Sequence, residues 1–218
     1  DNSILIPISQ SGETADLLEA IRKVKNKGVK ILSIYNTAGS SLSRLSDLSM
    51  NLNCGPEIGV AATKSFTAQL AIIYKIIFEL CQIENGDKKL ERLTSNIKEV
   101  LNIEKSLHQI IELLNESNDV YFLGRSIHHP IALEGALKLK ELAYIHAEGM
   151  AAGELKHGTL ALVEEGTPAI IINPIDETYR DTITNAIEMK SRGATIIGIS
   201  SVNNEVYDHW IKIPEVDN

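Results

Sequence analysis

The sequence predicts an α/β protein of two doubly wound parallel sheets, and three observations predict it. Apolar residues make up 44% of the 218-residue chain while aromatics reach only 5%, so the core rests on the aliphatic side chains that layered helices and parallel strands pack. Short β-branched runs alternate with segments of helical period. Finally, "AIRKVKNKGVKILSIYN" at 20–36 resembles "AIEMKSRGATIIGIS" at 186–200: amphipathic helix, basic end, glycine, strand, each after a Glu-Thr pair. The repeat favours two similar domains, 1–82 and 105–218, with a charged helical connector at 83–104.

Taken in order, Ile4–Ile8 is a β-branched strand. Leu17, Leu18, Ile21 and Val24 give Thr14–Lys27 a helical period, closed by Gly28. Val29–Tyr35 is a second strand, then the turn residues 36–41, a short helix at Leu42–Ser46 and a short strand at Leu48–Leu52. Ala61–Cys81 is apolar on more than one face and is expected to be a well-buried helix. The second half restarts with a helix at Ser106–Asn115, a buried strand at Val120–Gly124 and a helix at Ala132–His146. A strand at Pro168–Ile172, a helix at Tyr179–Ser191 and strands at Thr195–Ser200 and Ile211–Ile213 complete it. Strands separated by helices imply parallel βαβ units, with ligands at the carboxyl ends of the strands.

A net charge of −8 argues against nucleic acid, which needs a basic face. Cys54 and Cys81 form no close motif and read as thiols of a reducing compartment, the cytoplasm. The most apolar helix, 69–81, holds Lys75 and Glu79 and is too short for a bilayer, so no membrane partner is expected. No signal peptide precedes the first strand, and the chain opens at Asp1 almost directly in a strand, as a piece of a longer protein would.

The turn Ser9-Gln10-Ser11-Gly12-Glu13-Thr14 joins the first strand to its helix. A helix N-terminus offers unpaired N–H groups and about half a positive charge. Ser9, Ser11 and Thr14 add hydroxyl donors, and Gly12 permits the bend, so a phosphate monoester fits. The competing reading is a plain capped start at Ser11-x-x-Thr14, and the hexapeptide alone leaves both open. The lysine of a triphosphate loop and the G-x-G-x-x-G of a dinucleotide site are absent.

The second informative stretch is "ALEGALKLKELAYIHAEGMAAGELKHGTLALV", 132–163. Glu134, Lys138 and Glu141 fall on one helical face, where a solvated salt-bridge stripe is the bland explanation. His146, Glu148, Glu154, Lys156 and His157 then crowd a segment of small residues. Base, acid and ammonium near one ligand suit proton transfer. Metal binding by His146 and His157 ranks below it, because their spacing of eleven residues meets no familiar ligand pattern. A structural role for His146 stays open.

"SQSGET", "EIGVAATKSFTAQL" at 57–70, "FLGR" at 122–125 and the segment at 132–158 together resemble the isomerase half of the glutamine–fructose-6-phosphate aminotransferase family, essentially end to end. The resemblance implies two flavodoxin-like SIS (sugar isomerase) domains. It implies conversion of fructose 6-phosphate and ammonia to glucosamine 6-phosphate in hexosamine biosynthesis, with no cofactor and no metal. A separate glutaminase domain would supply the ammonia. On this resemblance Ser9, Gln10, Ser11 and Thr14 line the sugar phosphate and Val60 lies close to the sugar. Glu141 is the base that moves a proton between C1 and C2, and Lys138 assists at the C1 hydroxyl. His157 opens the sugar ring and enters from the neighbouring subunit, so a homodimer is expected.

The chain departs from the family in three places. Ala62 stands where many members have serine. A Gly-Thr-Ser turn expected before residue 1 and a lysine-bearing tail expected after 218 are not in the sequence, so the first domain reads as incomplete at its N-terminus and the second as lacking its tail. Two other readings compete: a sugar-phosphate sensor without catalysis, and an aldose–ketose isomerase that uses no ammonia. A sensor has no need of Lys138, Glu141 and His157 together.

Overall fold

A computed structural model describes residues 3–103 and 107–216. The expected helix start at Ser106, the last residue of the expected connector and both chain ends fall outside the described residues. The chain divides into two compact units, Asp1–Glu91 and Arg92–Asn218, each with a parallel sheet of its own.

In the first unit, β1 (Ile4–Leu5) and β2 (Ile8–Ser9) lie end to end along one edge of β3 (Lys30–Tyr35), and β4 (Leu48–Asn51) pairs the other edge. The expected strand Ile4–Ile8 is therefore broken. Pro7 has no N–H for the ladder, but its carbonyl accepts from Ile34 at 2.9 Å, so the lane continues past the break. Helices α1 (Ala15–Lys25) and α2 (Ser41–Leu45) cross over between the strands. Leu18 and Ile21 of α1 and Leu42 of α2 bury with Ile31 of β3 into one small core.

Helix α3 (Lys64–Leu80) corrects an expectation. Its apolar belt predicted burial, yet only Ser65 is buried, while Tyr74, Ile77 and Leu80 are exposed. A helix apolar on several faces needs neighbours on several sides to be buried, and the buried cluster of the first unit draws on α1, α2 and β3 and takes no residue from α3. Helix α4 (Gly86–Val100) occupies the stretch expected as connector.

The second unit contains α5 (His108–Asn115), β5 (Asp119–Gly124), α6 (His129–Ala143), β6 (His146–Ala151), β7 (Pro168–Ile172), α7 (Tyr179–Lys190), β8 (Thr195–Ser200) and β9 (His209–Lys212). The strand order is β6-β5-β7-β8-β9, all parallel. That is the doubly wound, flavodoxin-type order. In the first unit the three lanes run one way, with no reversal among the described residues. Alternation along the central strands builds two cores. Tyr121, Leu123, Ala169 and Ile171 face Ala186 and Met189 of α7. Val120, Phe122, Ile170 and Ile172 face Ile110 of α5 and Ala132 and Ala136 of α6.

Strand β6 replaces the end of an expected helix. Helix α6 starts early, with Pro130 in its first turn, and stops at Ala143, after which Tyr144 is left-handed at φ 58°. His146–Ala151 then pairs β5 from Asp119↔His146 to Gly124↔Ala151. Nothing β-branched marks this strand. Its place depends on Gly149, where a Cβ would lie 2.6 Å from Leu133 Cα and 2.7 Å from the Ala132 carbonyl. Gly149→Ala is expected to force α6 off β6 and cost about 1–3 kcal/mol. Denaturant unfolding followed by Trp210, the single tryptophan, measures this; stability within about 0.5 kcal/mol of the parent would show that helix and strand can part.

Candidate functional site

The turn Ser9–Thr14 begins at the carboxyl end of β2, where the fold predicts a ligand. Thr14 is the N-cap of α1 but makes no side-chain cap bond. Its hydroxyl lies 3.0 Å from Ser9 Oγ, and Ser9 Oγ accepts from the Gly12 N–H at 3.0 Å. Ser11 Oγ accepts from the Glu13 N–H at 3.2 Å. The capping reading of Ser11-x-x-Thr14 is thus overturned: the Thr14 hydroxyl turns to Ser9 and that of Ser11 to the Glu13 N–H, and the N-cap of α1 makes no side-chain cap bond.

Contacts to later elements hold the turn in place. The Gln10 carbonyl accepts from Asn36 N–H at 3.1 Å, and the Gly12 carbonyl from Leu42 N–H at 3.0 Å. Glu13 Oε1 accepts from the Ser41 N–H at 2.7 Å. That bond, joined by the nearby Arg44 charge, holds the Glu13 carboxyl below the ordinary glutamate range. Glu13 therefore serves the N-terminus of α2, a function that no local spacing announces. Gly12 is buried with φ +69°, and a Cβ there would meet Ser40, with Ser40 Cβ only 2.6 Å away.

Val60 sits in the loop between β4 and α3 and is 89% exposed. Glu57, which sequence reasoning left without a function, turns back on the end of that loop. Its Oε1 accepts from the N–H groups of Thr63 and Ser65 and from Ser65 Oγ.

In the second unit, Lys138 Nζ donates to Glu141 Oε2 at 2.7 Å and lies 3.3 Å from Glu134 Oε1. All three side chains are half-buried, so the stripe is no freely solvated ladder. Burial pulls the Lys138 ammonium down, but hydrogen bonds and charge from Glu141 and Glu134 outweigh it, and its pKa lies above that of an ordinary lysine. Lys138 stays charged at neutral pH and fixes one oxygen of Glu141. The other, Oε1, has no hydrogen bond among the described residues, which leaves it a lone pair for proton transfer.

Helix α6 runs antiparallel to β5 and β6, ending three residues before β6 begins. Lys138 and Glu141 therefore lie toward the amino ends of those strands. Ser9–Thr14 thus stands at a strand's carboxyl end, where ligands are expected in such sheets, and this pair does not. His157 follows the carboxyl end of β6, in the 3-10 turn Ala152–His157. Its side chain is 73% exposed and 4.0 Å from Glu154, and it has no bond to Lys138 or Glu141. His146, the other histidine considered for metal, bonds Asp119 at 2.5 Å. Among the described residues no group of three or more His, Cys, Asp or Glu side chains could hold a metal ion.

Missed in the sequence is a clasp in the second unit. His128 Nε2 lies 2.7 Å from Asp176 Oδ2, and Asp176 Oδ1 also accepts from the Thr178 N–H and hydroxyl. It ties the loops after β5 and β7 together, 48 residues apart in sequence, where the strand order reverses. No local pattern encodes such a pair.

The chain is similar to several known proteins. The glutamine–fructose-6-phosphate aminotransferase (isomerizing) of Thermococcus kodakarensis is 43% identical over 228 aligned residues, covering 100% of this chain and 38% of the relative. The enzyme of the same name from Aquifex aeolicus is 43% identical, covering 94% of this chain and 35% of its own length. The chain thus spans well under half of these curated relatives. The solved C-terminal domain of glucosamine-fructose-6-phosphate aminotransferase from Francisella tularensis superimposes with a TM-score of 0.85 at 38% identity, covering 97% of this chain and 64% of that one. The family model described as SIS domain matches residues 1–78 and 113–216, most of the chain and both parallel sheets, and the chain therefore belongs to the SIS domain family.

Proposed function

We propose that this chain is the sugar-phosphate isomerase part of a glutamine–fructose-6-phosphate aminotransferase, with SIS domains at 1–82 and 105–218 joined by the connector 83–104. It takes fructose 6-phosphate and ammonia toward glucosamine 6-phosphate. The observation that carries this reading is the Lys138–Glu141 pair, a carboxylate fixed through one oxygen by a permanently charged lysine. Simple binding of a sugar phosphate has no need for it.

Each residue contributes a distinct step. The uncapped N–H groups of α1 and the hydroxyls of Ser9, Ser11 and Thr14 hold the phosphate, with Gln10 and Val60 beside the sugar. His157 opens the ring, a task suited to an imidazole, which can both give and take a proton, and its exposure supports the reading that it acts in a neighbouring copy of a homodimer. At the imine, Glu141 takes the proton from C1 and returns it to C2. The C1 hydroxyl then gives up its proton as the aldehyde forms while the C2 nitrogen gains one in becoming the amine, and Lys138 supplies the adjacent positive charge. Ammonia comes from the glutaminase domain of the longer protein, and the chain by itself is impaired in turnover. No described helix is long and apolar enough to cross a membrane, and we place the reaction in the cytoplasm.

Calorimetry tests the phosphate assignment. Ser11→Ala combined with Thr14→Ala is expected to weaken hexose 6-phosphate binding by at least about 100-fold, because two hydrogen bonds to a charged group are each worth about 1.5–3 kcal/mol. Binding of the unphosphorylated sugar should change little. Equal loss for both ligands would refute the phosphate cradle.

A further inference from the structure

Glu57 makes an unusual set of bonds for a loop carboxylate. One oxygen, Oε1, accepts from the Thr63 N–H at 3.0 Å, the Ser65 N–H at 2.9 Å and the Ser65 hydroxyl at 2.7 Å. Ser65 is the one buried residue of α3, so this end of the tether is anchored. Thr63, the N-cap, makes no side-chain cap bond; Glu57 supplies the cap from outside the helix. The bond to the Ser65 N–H leads the contributions that hold Glu57 below the ordinary glutamate range, and the N-terminal dipole of α3 favours the same anion.

A cap of this kind does more than end a helix. A serine or aspartate at position 63 could cap the Ser65 N–H without reaching any other residue. Capping from six residues upstream closes the intervening chain into a ring of covalent and hydrogen bonds. The residues inside that ring are Ile58, Gly59, Val60, Ala61 and Ala62. Ile58 and Val60 are 96% and 89% exposed, so the ring spends no apolar burial on its own core through them. It fixes backbone while presenting two apolar side chains outward. A loop ordered before binding loses less conformational freedom when a ligand arrives.

We propose that Glu57 is a positioning residue, whose carboxylate fixes the Ile58–Ala62 loop so that Val60 meets the sugar already ordered. This rests on the reading of the chain as a sugar-phosphate isomerase with Val60 beside the sugar. The tether acts on binding of the sugar and leaves proton transfer at Glu141 alone.

The test is made in the full-length protein. Glu57→Ala is expected to raise KM for fructose 6-phosphate about tenfold while kcat stays within about threefold. Affinity for inorganic phosphate, the probe of the Ser9–Thr14 turn, should be unchanged. Amide hydrogen exchange across 58–62 should quicken by at least about tenfold. Glu57→Gln keeps a neutral acceptor of the same shape and should recover most of both the KM and the exchange protection. An unchanged KM in Glu57→Ala, or kcat falling with KM and no recovery in Glu57→Gln, would overturn the assignment. If the unmodified protein fails to bind any hexose 6-phosphate, the functional reading itself fails and this one falls with it. If it binds and Glu57→Ala leaves KM unchanged, only the positioning assignment fails.

Discussion

Glu141→Gln in the full-length protein is expected to abolish conversion of fructose 6-phosphate while binding of the sugar phosphate persists. The expected loss in kcat is about a thousandfold, the middle of the range that positioned acid–base groups contribute. Glutamine matches glutamate in shape and still offers Lys138 a carbonyl acceptor in place of Oε2. Lys138 keeps Glu134 at 3.3 Å, so its charge survives. The substitution keeps the volume of the side chain and its bond to Lys138, so the helix itself should be undisturbed. What the amide cannot do is take a proton from C1 and return it to C2. Turnover by quenched assay and affinity by calorimetry separate the outcomes. Unchanged turnover would remove Glu141 as the base, and lost binding would make it a ligand contact instead. Normal binding without turnover in the unsubstituted protein as well would favour the sensor reading.

How far the sequence anticipated the molecule depends on the range of the interaction concerned. β7 and β8 match their expected spans because each is a run of buried β-branched residues bounded by turns. Lys138 and Glu141 were legible as neighbours because helical spacing alone brings them together. β6 was illegible: "HAEGMA" has no strand propensity, and a backbone contact between Gly149 and α6 decides its place. The exposure of α3 was misjudged because periodicity reports which faces are apolar and is silent on what covers them. The carboxylates of Glu13 and Glu57 were missed for a related reason. Glu13 bonds an amide 28 residues away, and Glu57 reaches over a loop whose fold is not encoded in its spacing. Local rules and the family resemblance singled out the groups proposed to touch the ligand, whereas the groups that hold those in place became visible only with the fold.

Gly12→Ala should be the most damaging single change in the turn, and a second glycine shows why. Gly28, after α1, has φ +78° and open space where a Cβ would stand, with nothing within 4 Å, whereas Gly12 has φ +69° and a Cβ there would strike Ser40. Gly28→Ala therefore reports the cost of a left-handed alanine alone, about 1–2 kcal/mol, and should leave hexose 6-phosphate affinity unchanged. Gly12→Ala carries the same conformational cost plus displacement of the α2 start, because Ser40 is the N-cap of that helix. Relief by movement would break the Leu42 bond to the Gly12 carbonyl and the Ser41 bond to Glu13, which together set where Ser9, Ser11 and Thr14 stand. A displacement of about 1 Å in such a cradle is enough to cost about 100-fold. Adding Ser40→Gly removes the obstruction and keeps the left-handed strain. The double variant should regain stability toward the Gly28→Ala level and regain most of the affinity. Sugar-phosphate affinity at the parental level in Gly12→Ala, measured by calorimetry alongside thermal unfolding, would mean that the turn does not hold the phosphate. A loss that Ser40→Gly fails to reverse would place the damage in the backbone of the turn itself, not in its seat on α2.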